Sequence, residues 1–166
     1  MTATYCRSTP NTTMPKIDIA DAALRVGSDY PQPFDEQCKA RQRWSLGDVA
    51  GLTQFGVNLL RLPPGAWSSQ RHWHSAEDEF VWVLEGEAVL ITDAGEQLLR
   101  AGDCAGFAAG VANGHHFQNR SDREVVLLEV GSRRPADDGC DYPDIDMVID
   151  PGSDTARHRD GRPYET

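Results

Sequence analysis

Positive charge is scarce in this chain: 16 Lys and Arg stand against 26 Asp and Glu, a formal net charge of −10 over 166 residues. A phosphate backbone requires clustered cations, so the balance excludes nucleic acid as an expected partner. The same shortage disfavours an anionic membrane surface. No run of about 18 apolar residues occurs, which excludes a transmembrane helix. Met1 to Pro15 is rich in Thr and Ser and has no apolar core of a secretory signal, so the cytoplasm is the expected location. Cysteine is sparse too. Cys6, Cys38, Cys104 and Cys140 lie far apart with no C-x-x-C pair, and they read as reduced thiols rather than a disulfide framework. Internal repeats are absent.

What remains is an ordinary globular composition, 39% hydrophobic and 25% charged, in a chain long enough for one domain with a sizeable core. Between Gln54 and Gly131 short apolar runs alternate with turn chemistry. The runs are 55–62, 79–84, 88–92, 97–99, 115–119 and 125–130; the breaks include Pro63-Pro64-Gly65, Glu85-Gly86, Asp93-Ala94-Gly95 and Ala101-Gly102-Asp103. That pitch predicts an all-β antiparallel barrel or sandwich, and no window there sustains a helical period. The expected organisation is a flexible extension over 1–16 and an arm of edge strands over 17–50, punctuated by Pro31 and Pro33. A barrel over 51–132 follows, then a tail over 133–166 in which the 142–147 segment docks on the barrel.

The chemistry concentrates in Arg71-His72-Trp73-His74 and the run that follows. Residues two apart in a strand share a face, so His72 and His74 project together and can offer two imidazole nitrogens to one ion. Glu79 opens the next run on the same face as Val81 and Val83, and a turn over 75–78 can return its carboxylate to the histidines. A third histidine, His115, follows the Gly102 turn. Three imidazoles and a carboxylate form a mixed N/O site suited to one divalent ion, Zn, Fe, Mn or Ni. Gln70, Arg71, Trp82 and Asn119 are the candidate substrate contacts. Trp67 and Trp73 read as core or barrel lining, His116 and His158 as surface residues, Glu77 and Asp78 as solvated turn residues, Arg61 and Arg100 as surface charge, and Cys104 as core.

The segment from Gly65 to Gly86 resembles the first motif of the cupin superfamily: glycine, spacer, His-x-His, Glu, then six residues to Gly. Glu79 to Gly86 has the usual spacing, while Gly65 to His72 is one residue longer. Residues 102–119 resemble the second motif, in which a histidine is followed four positions later by Asn. Ala108 stands where proline is usual, and unadjusted spacing puts Asn113 in the histidine's place. A two-residue insertion restores the pairing of His115 with Asn119, which alternation then turns inward with Phe117. The resemblance spans about residues 55 to 131. It implies a jelly-roll barrel, a metal near its mouth, and a homodimer that uses residues 17–50.

Two classes of function follow. One is a metal-dependent enzyme acting on a small oxygen-rich molecule, like the sugar-phosphate isomerases, decarboxylases and dioxygenases among similar cupins. An isomerase needs a basic clamp for its phosphate, and Arg71 is the one obvious nearby cation. The other is a non-catalytic module that binds or senses a small ligand. A third role, with the metal serving stability alone, also fits the residues. Fold resemblance does not separate them.

Overall fold

The computed structural model describes residues 16–164. The expected flexible extension lies outside them apart from Lys16. In chain order the strands are β1 (Leu24–Val26), β2 (Gln42–Ser45), β3 (Phe55–Leu62), β4 (Trp73–His74), β5 (Glu79–Glu85), β6 (Glu87–Thr92) and β7 (Gly95–Arg100). These are followed by β8 (Cys104–Phe107), β9 (His116–Gln118), β10 (Val125–Ser132), β11 (Cys140–Tyr142), β12 (Met147–Ile149) and β13 (Ala156–Arg157). One sheet runs β1-β2-β3-β10-β5-β8, a second β7-β6-β9, and a third β13-β12-β11-β4. No helix among the described residues is long and apolar enough to cross a membrane.

Alternation decides which side chains fill the barrel. On β5, Val81 and Val83 are 6% and 0% exposed, whereas Trp82 between them is 45% exposed. Leu60 and Leu62 of β3, Val125 and Leu127 of β10, Leu90 of β6 and Phe117 of β9 complete the wall-to-wall core. The hairpin between β5 and β6 requires its glycine: Gly86 has a φ of +79°, and a Cβ there would stand 2.8 Å from the Glu124 carbonyl oxygen.

Residues flanking the barrel extend it in two directions. β2 pairs with β3 (Arg43 opposite Leu60, Trp44 opposite Leu59), and β1 adds to β2, so the large sheet gains two strands from the segment before residue 50. After residue 133 the chain returns across the barrel mouth as β11, β12 and β13. Their own small core contains Cys140, Tyr142 and Met147. Arg71 clips this strap to the barrel: Nε and one terminal nitrogen donate to Asp144 at 2.7 and 2.6 Å, and the other terminal nitrogen donates to Asp93.

Two sequence expectations are corrected. Cys104 is exposed, because on β8 the inward positions fall to Ala105 and Phe107. His116 is 4% exposed, because the region outside β9 is covered: its Nδ1 donates to the Ser69 carbonyl, and Trp67 meets its ring edge-on at 4.7 Å. Asp78 is exposed in the turn before β5, as expected, and accepts from the Ala109 N–H at 2.8 Å.

Candidate metal centre

His72 and His115 pair through their backbones, each N–H donating to the other's carbonyl at 3.2 and 2.8 Å. That bridge sets the two rings side by side with centroids 5.3 Å apart. His74, two residues on, pairs with Cys140 of β11. Glu79 enters from the start of β5. Its Oε2 lies 2.8 Å from His115 Nε2, 3.7 Å from His74 Nε2 and 3.9 Å from His72 Nε2. An ion with bonds of about 2.0–2.2 Å holds its donor atoms at roughly these separations. Asn113 stays outside the cluster, and its Oδ1 accepts from the Asp93 N–H at 2.9 Å.

The second ring nitrogens show why the Nε2 atoms converge. His72 Nδ1 donates to the Gln70 carbonyl at 2.8 Å, and His74 Nδ1 donates to Asp138 at 2.6 Å. Such partners set the tautomer and leave Nε2 free for a metal. His115 is held differently: Phe107 stacks on its ring at 3.4 Å and 2°, and its buried Nδ1 has no hydrogen-bond partner. Burial pushes the His72 pKa down to about 4, so the ring is neutral, the form a metal binds. Burial opposes ionisation of Glu79, but the His115 hydrogen bond and the three surrounding imidazoles outweigh it and hold its pKa at about 2. Cys140 also comes within reach of His72 and His74, but burial pushes its thiol up, away from the thiolate that a metal needs. His72, Glu79 and His115 are grouped closely enough to hold one ion, and His74 adjoins them with its Nε2 3.7 Å from the Glu79 carboxylate.

Comparison with known proteins bears on the fold. The cupin domain family matches residues 58–131. A crystal structure of a sugar phosphate isomerase from a cupin superfamily of Silicibacter pomeroyi is 45% identical, with a TM-score of 0.84, covering 92% of this chain and 98% of that one. The chain belongs to the cupin superfamily. A sugar phosphate isomerase candidate from Acidithiobacillus ferrooxidans is 30% identical, with a TM-score of 0.65 over 72% of this chain and 76% of that one. A protein predicted to be an oxalate decarboxylase from Thermotoga maritima shares the fold, with a TM-score of 0.58 at 17% identity over 72% of this chain and the whole of that one. Among curated protein sequences none matches.

In this cupin the His/Glu cluster borders two cavities. One of about 270 Å³ is lined by Trp73, Phe107, Val111, Ala108 and Asn113 beside His74, Glu79 and His115. The other, about 280 Å³, is lined by Arg41, Arg43, Asn58, Ser69 and Glu129 beside His72, His74 and Glu79. The four candidate substrate contacts line neither. Gln70 is turned away to donate to the Phe34 carbonyl at 2.7 Å, and Arg71 is committed to Asp144 and Asp93. Asn119 is 1% exposed and donates to the Leu62 and Arg123 carbonyls at 2.7 and 2.6 Å, closing a turn. Trp82 is on the outside of the barrel because β5 alternates and Glu79 faces in.

Sequence reasoning missed four residues at the site. Asp138 holds His74 and also accepts from the Ala76 and Glu77 N–H groups at 2.8 and 3.1 Å. Glu77 borders both cavities instead of lying in a solvated turn. Arg43 and Glu129 face the second cavity. Of these only Glu129 carried a signal: it breaks the apolar run 125–130 at the same parity as the core residue Leu127.

Proposed function

We propose that this cupin is a metal-dependent isomerase of a small phosphorylated sugar, with one divalent ion held by His72, His74, Glu79 and His115. The observation that carries the reading is the match, at 45% identity over 92% of the chain, to the Silicibacter pomeroyi sugar phosphate isomerase. The His/Glu cluster supports it, because it opens on a cavity that offers Arg43, Asn58 and Ser69 to an oxygen-rich molecule, with Arg41 behind them donating to the Gly27 and Ser68 carbonyls. A divalent ion in the cluster would polarise a carbonyl and stabilise negative charge on its oxygen. The protein's own groups bind and orient: the apolar walls of Trp73 and Phe107 exclude water on one side, and the polar cavity receives hydroxyl and phosphate oxygens on the other. The decarboxylase-like neighbour, at 17% identity, supports the architecture alone.

The test is reconstitution of metal-free protein with each of Mn, Fe, Ni and Zn. A panel of aldose and ketose phosphates is then followed by NMR. Conversion of one of them by loaded protein, and not by metal-free protein, is the expected result. Tight binding of a sugar phosphate with no conversion under any metal would favour the sensor class instead.

We further propose that two copies pair across the outer face of the large sheet. Register aligns Leu24, Trp44, Leu59, Leu128 and Trp82 in one row across it, and Leu24 and Trp82 at its two ends are 51% and 45% exposed. Trp82→Glu is then expected to give a monomer by light scattering.

A further inference from the structure

The polar cavity holds a carboxylate that no ligand role uses. Glu129 stands on β10 with Leu127, on the strand face that points into the barrel. Register pairs Glu129 with Val81 and Gly131 with Glu79. Glu129 is thus the diagonal cross-strand neighbour of Glu79 on the same face, a relation that ordinarily leaves Cβ atoms roughly 7 Å apart. Its other flank is Asn58 of β3, directly opposite in register. Arg43 reaches across from β2 with Nε 3.6 Å from the Glu129 carboxylate, beyond hydrogen-bonding distance, and that buried Nε has no other partner.

The other two carboxylates at the cavity are engaged. Glu79 accepts from His115, and Glu77 accepts from the backbone N–H of Arg134. Glu129 is free to meet a substrate. Burial raises its pKa, Arg43 limits the rise, and the charge of Glu79 adds to it, while Arg41 and His115 oppose it weakly. A carboxylate so placed is a stronger base than one in water.

We propose that Glu129 is the base that carries a proton between the two reacting carbons of the sugar phosphate. The inference rests on the isomerase reading above. In the aldose-to-ketose direction the Glu129 carboxylate takes the proton from the hydroxyl-bearing carbon next to the carbonyl. The electron pair of that C–H bond becomes a carbon–carbon double bond, and the carbonyl π pair moves onto its oxygen. The hydroxyl proton then passes between the two neighbouring oxygens. Next, Glu129 returns its proton to the former carbonyl carbon while the other oxygen re-forms a carbonyl. No electrons leave or enter, and Glu129 ends as it began. Arg43 acts as a positioning residue that keeps the carboxylate ionised and aimed inward.

The experiment compares the metal-loaded wild type, Glu129→Gln and Glu129→Asp in D₂O with the sugar phosphate that the wild type converts. Glu129→Gln is expected to lose at least about 100-fold in kcat and in deuterium wash-in at the reacting carbons. Its KM, metal content and melting curve should stay close to wild type, and Glu129→Asp should recover part of the loss. Calorimetry with the corresponding sugar-alcohol phosphate, which cannot react, supplies a readout apart from turnover: Glu129→Gln should bind it within about threefold of wild type. Turnover by Glu129→Gln near the wild-type rate overturns the role of Glu129 and leaves the isomerase reading standing. A parallel loss of metal or of sugar-alcohol phosphate binding also overturns it, in favour of a structural role. A wild type that neither converts nor exchanges any sugar phosphate removes both.

Discussion

Glu79 and His115 are held by the barrel, His72 and His74 by a short segment that the C-terminal strap closes from outside. Glu79 opens a strand whose next inward residues, Val81 and Val83, belong to the main core, and His115 is stacked on Phe107, which packs against that core. β4 is only two residues long; His74 meets Cys140 across the strap and leans on Asp138 through its Nδ1. The difference teaches a division of labour. Barrel packing fixes where donor atoms can stand, while the strap fixes which way the His74 ring faces and lays Tyr142 against the His72 ring. Each half is therefore open to a different kind of damage.

The largest effect is expected from removing a ligand on the strap side. His74→Ala takes one Nε2 from the cluster and leaves the barrel core untouched, so metal measured by elemental analysis should fall to background while the circular dichroism spectrum is unchanged. Full metal content in that variant would refute the assignment. Core truncations come next and separate the two regions. Leu127 and Met147 are both 0% exposed, in the barrel and strap cores respectively. Leu127→Ala should lower global stability by about 2–5 kcal/mol in urea. Met147→Ala should open β11 and β12 to hydrogen exchange first, leaving the amides of β3, β5 and β10 protected. Equal loss of protection in both regions would show that strap and barrel unfold as one unit.

Asp138→Asn is the finer probe of the strap. It keeps the size and the acceptor oxygen but removes the charge behind His74. Partners of this kind are worth about 10–100-fold in metal affinity. A weakening in that range, read by competition with a chelator, would place the control of His74 in the strap. Unchanged affinity would assign the orientation of His74 to β4 itself.

Local pattern explains how much of this was legible. His72, His74 and Glu79 follow from strand parity and one turn, and Gly86 marks the hairpin that its backbone geometry demands. His115 needed a two-residue insertion, because the loop from 108 to 114 is longer than the family's usual spacing. Asp138 had no local signal. It sits in an acidic tail among Asp137, Asp141 and Asp144, and only the pairing of β11 with β4 selects it. Arg43 depends likewise on the arm's register with β3. The assignment of Trp82 to the pocket went against legible information: if Glu79, Val81 and Val83 face in, Trp82 faces out. His116 had the opposite problem, since parity turned it away from the barrel interior and only the tertiary covering by Ser69 and Trp67 buries it.

The smallest expected effect tests how the strap is latched. Arg71 forms a two-pronged pair with Asp144, and that hydrogen-bonded pairing, against a lesser cost of burial, holds the Asp144 carboxyl below its usual value. A depressed folded pKa means that the folded state binds the proton less readily than the unfolded one. The latch therefore contributes fully above the unfolded pKa of about 3.9 and is lost as pH falls through the lower folded value. The Asp144 side chain is 56% exposed, so solvent and salt screen the pair and its contribution to global stability is small. The expected observation is local: between neutral pH and about pH 3, hydrogen-exchange protection of the strap should fall further than that of the barrel. Asp144→Asn should start from the lower protection and lose the excess pH dependence. If the wild-type strap and the Asp144→Asn strap follow the same pH curve, the latch is not what holds the strap, and the packing of Tyr142 and Met147 alone accounts for its attachment.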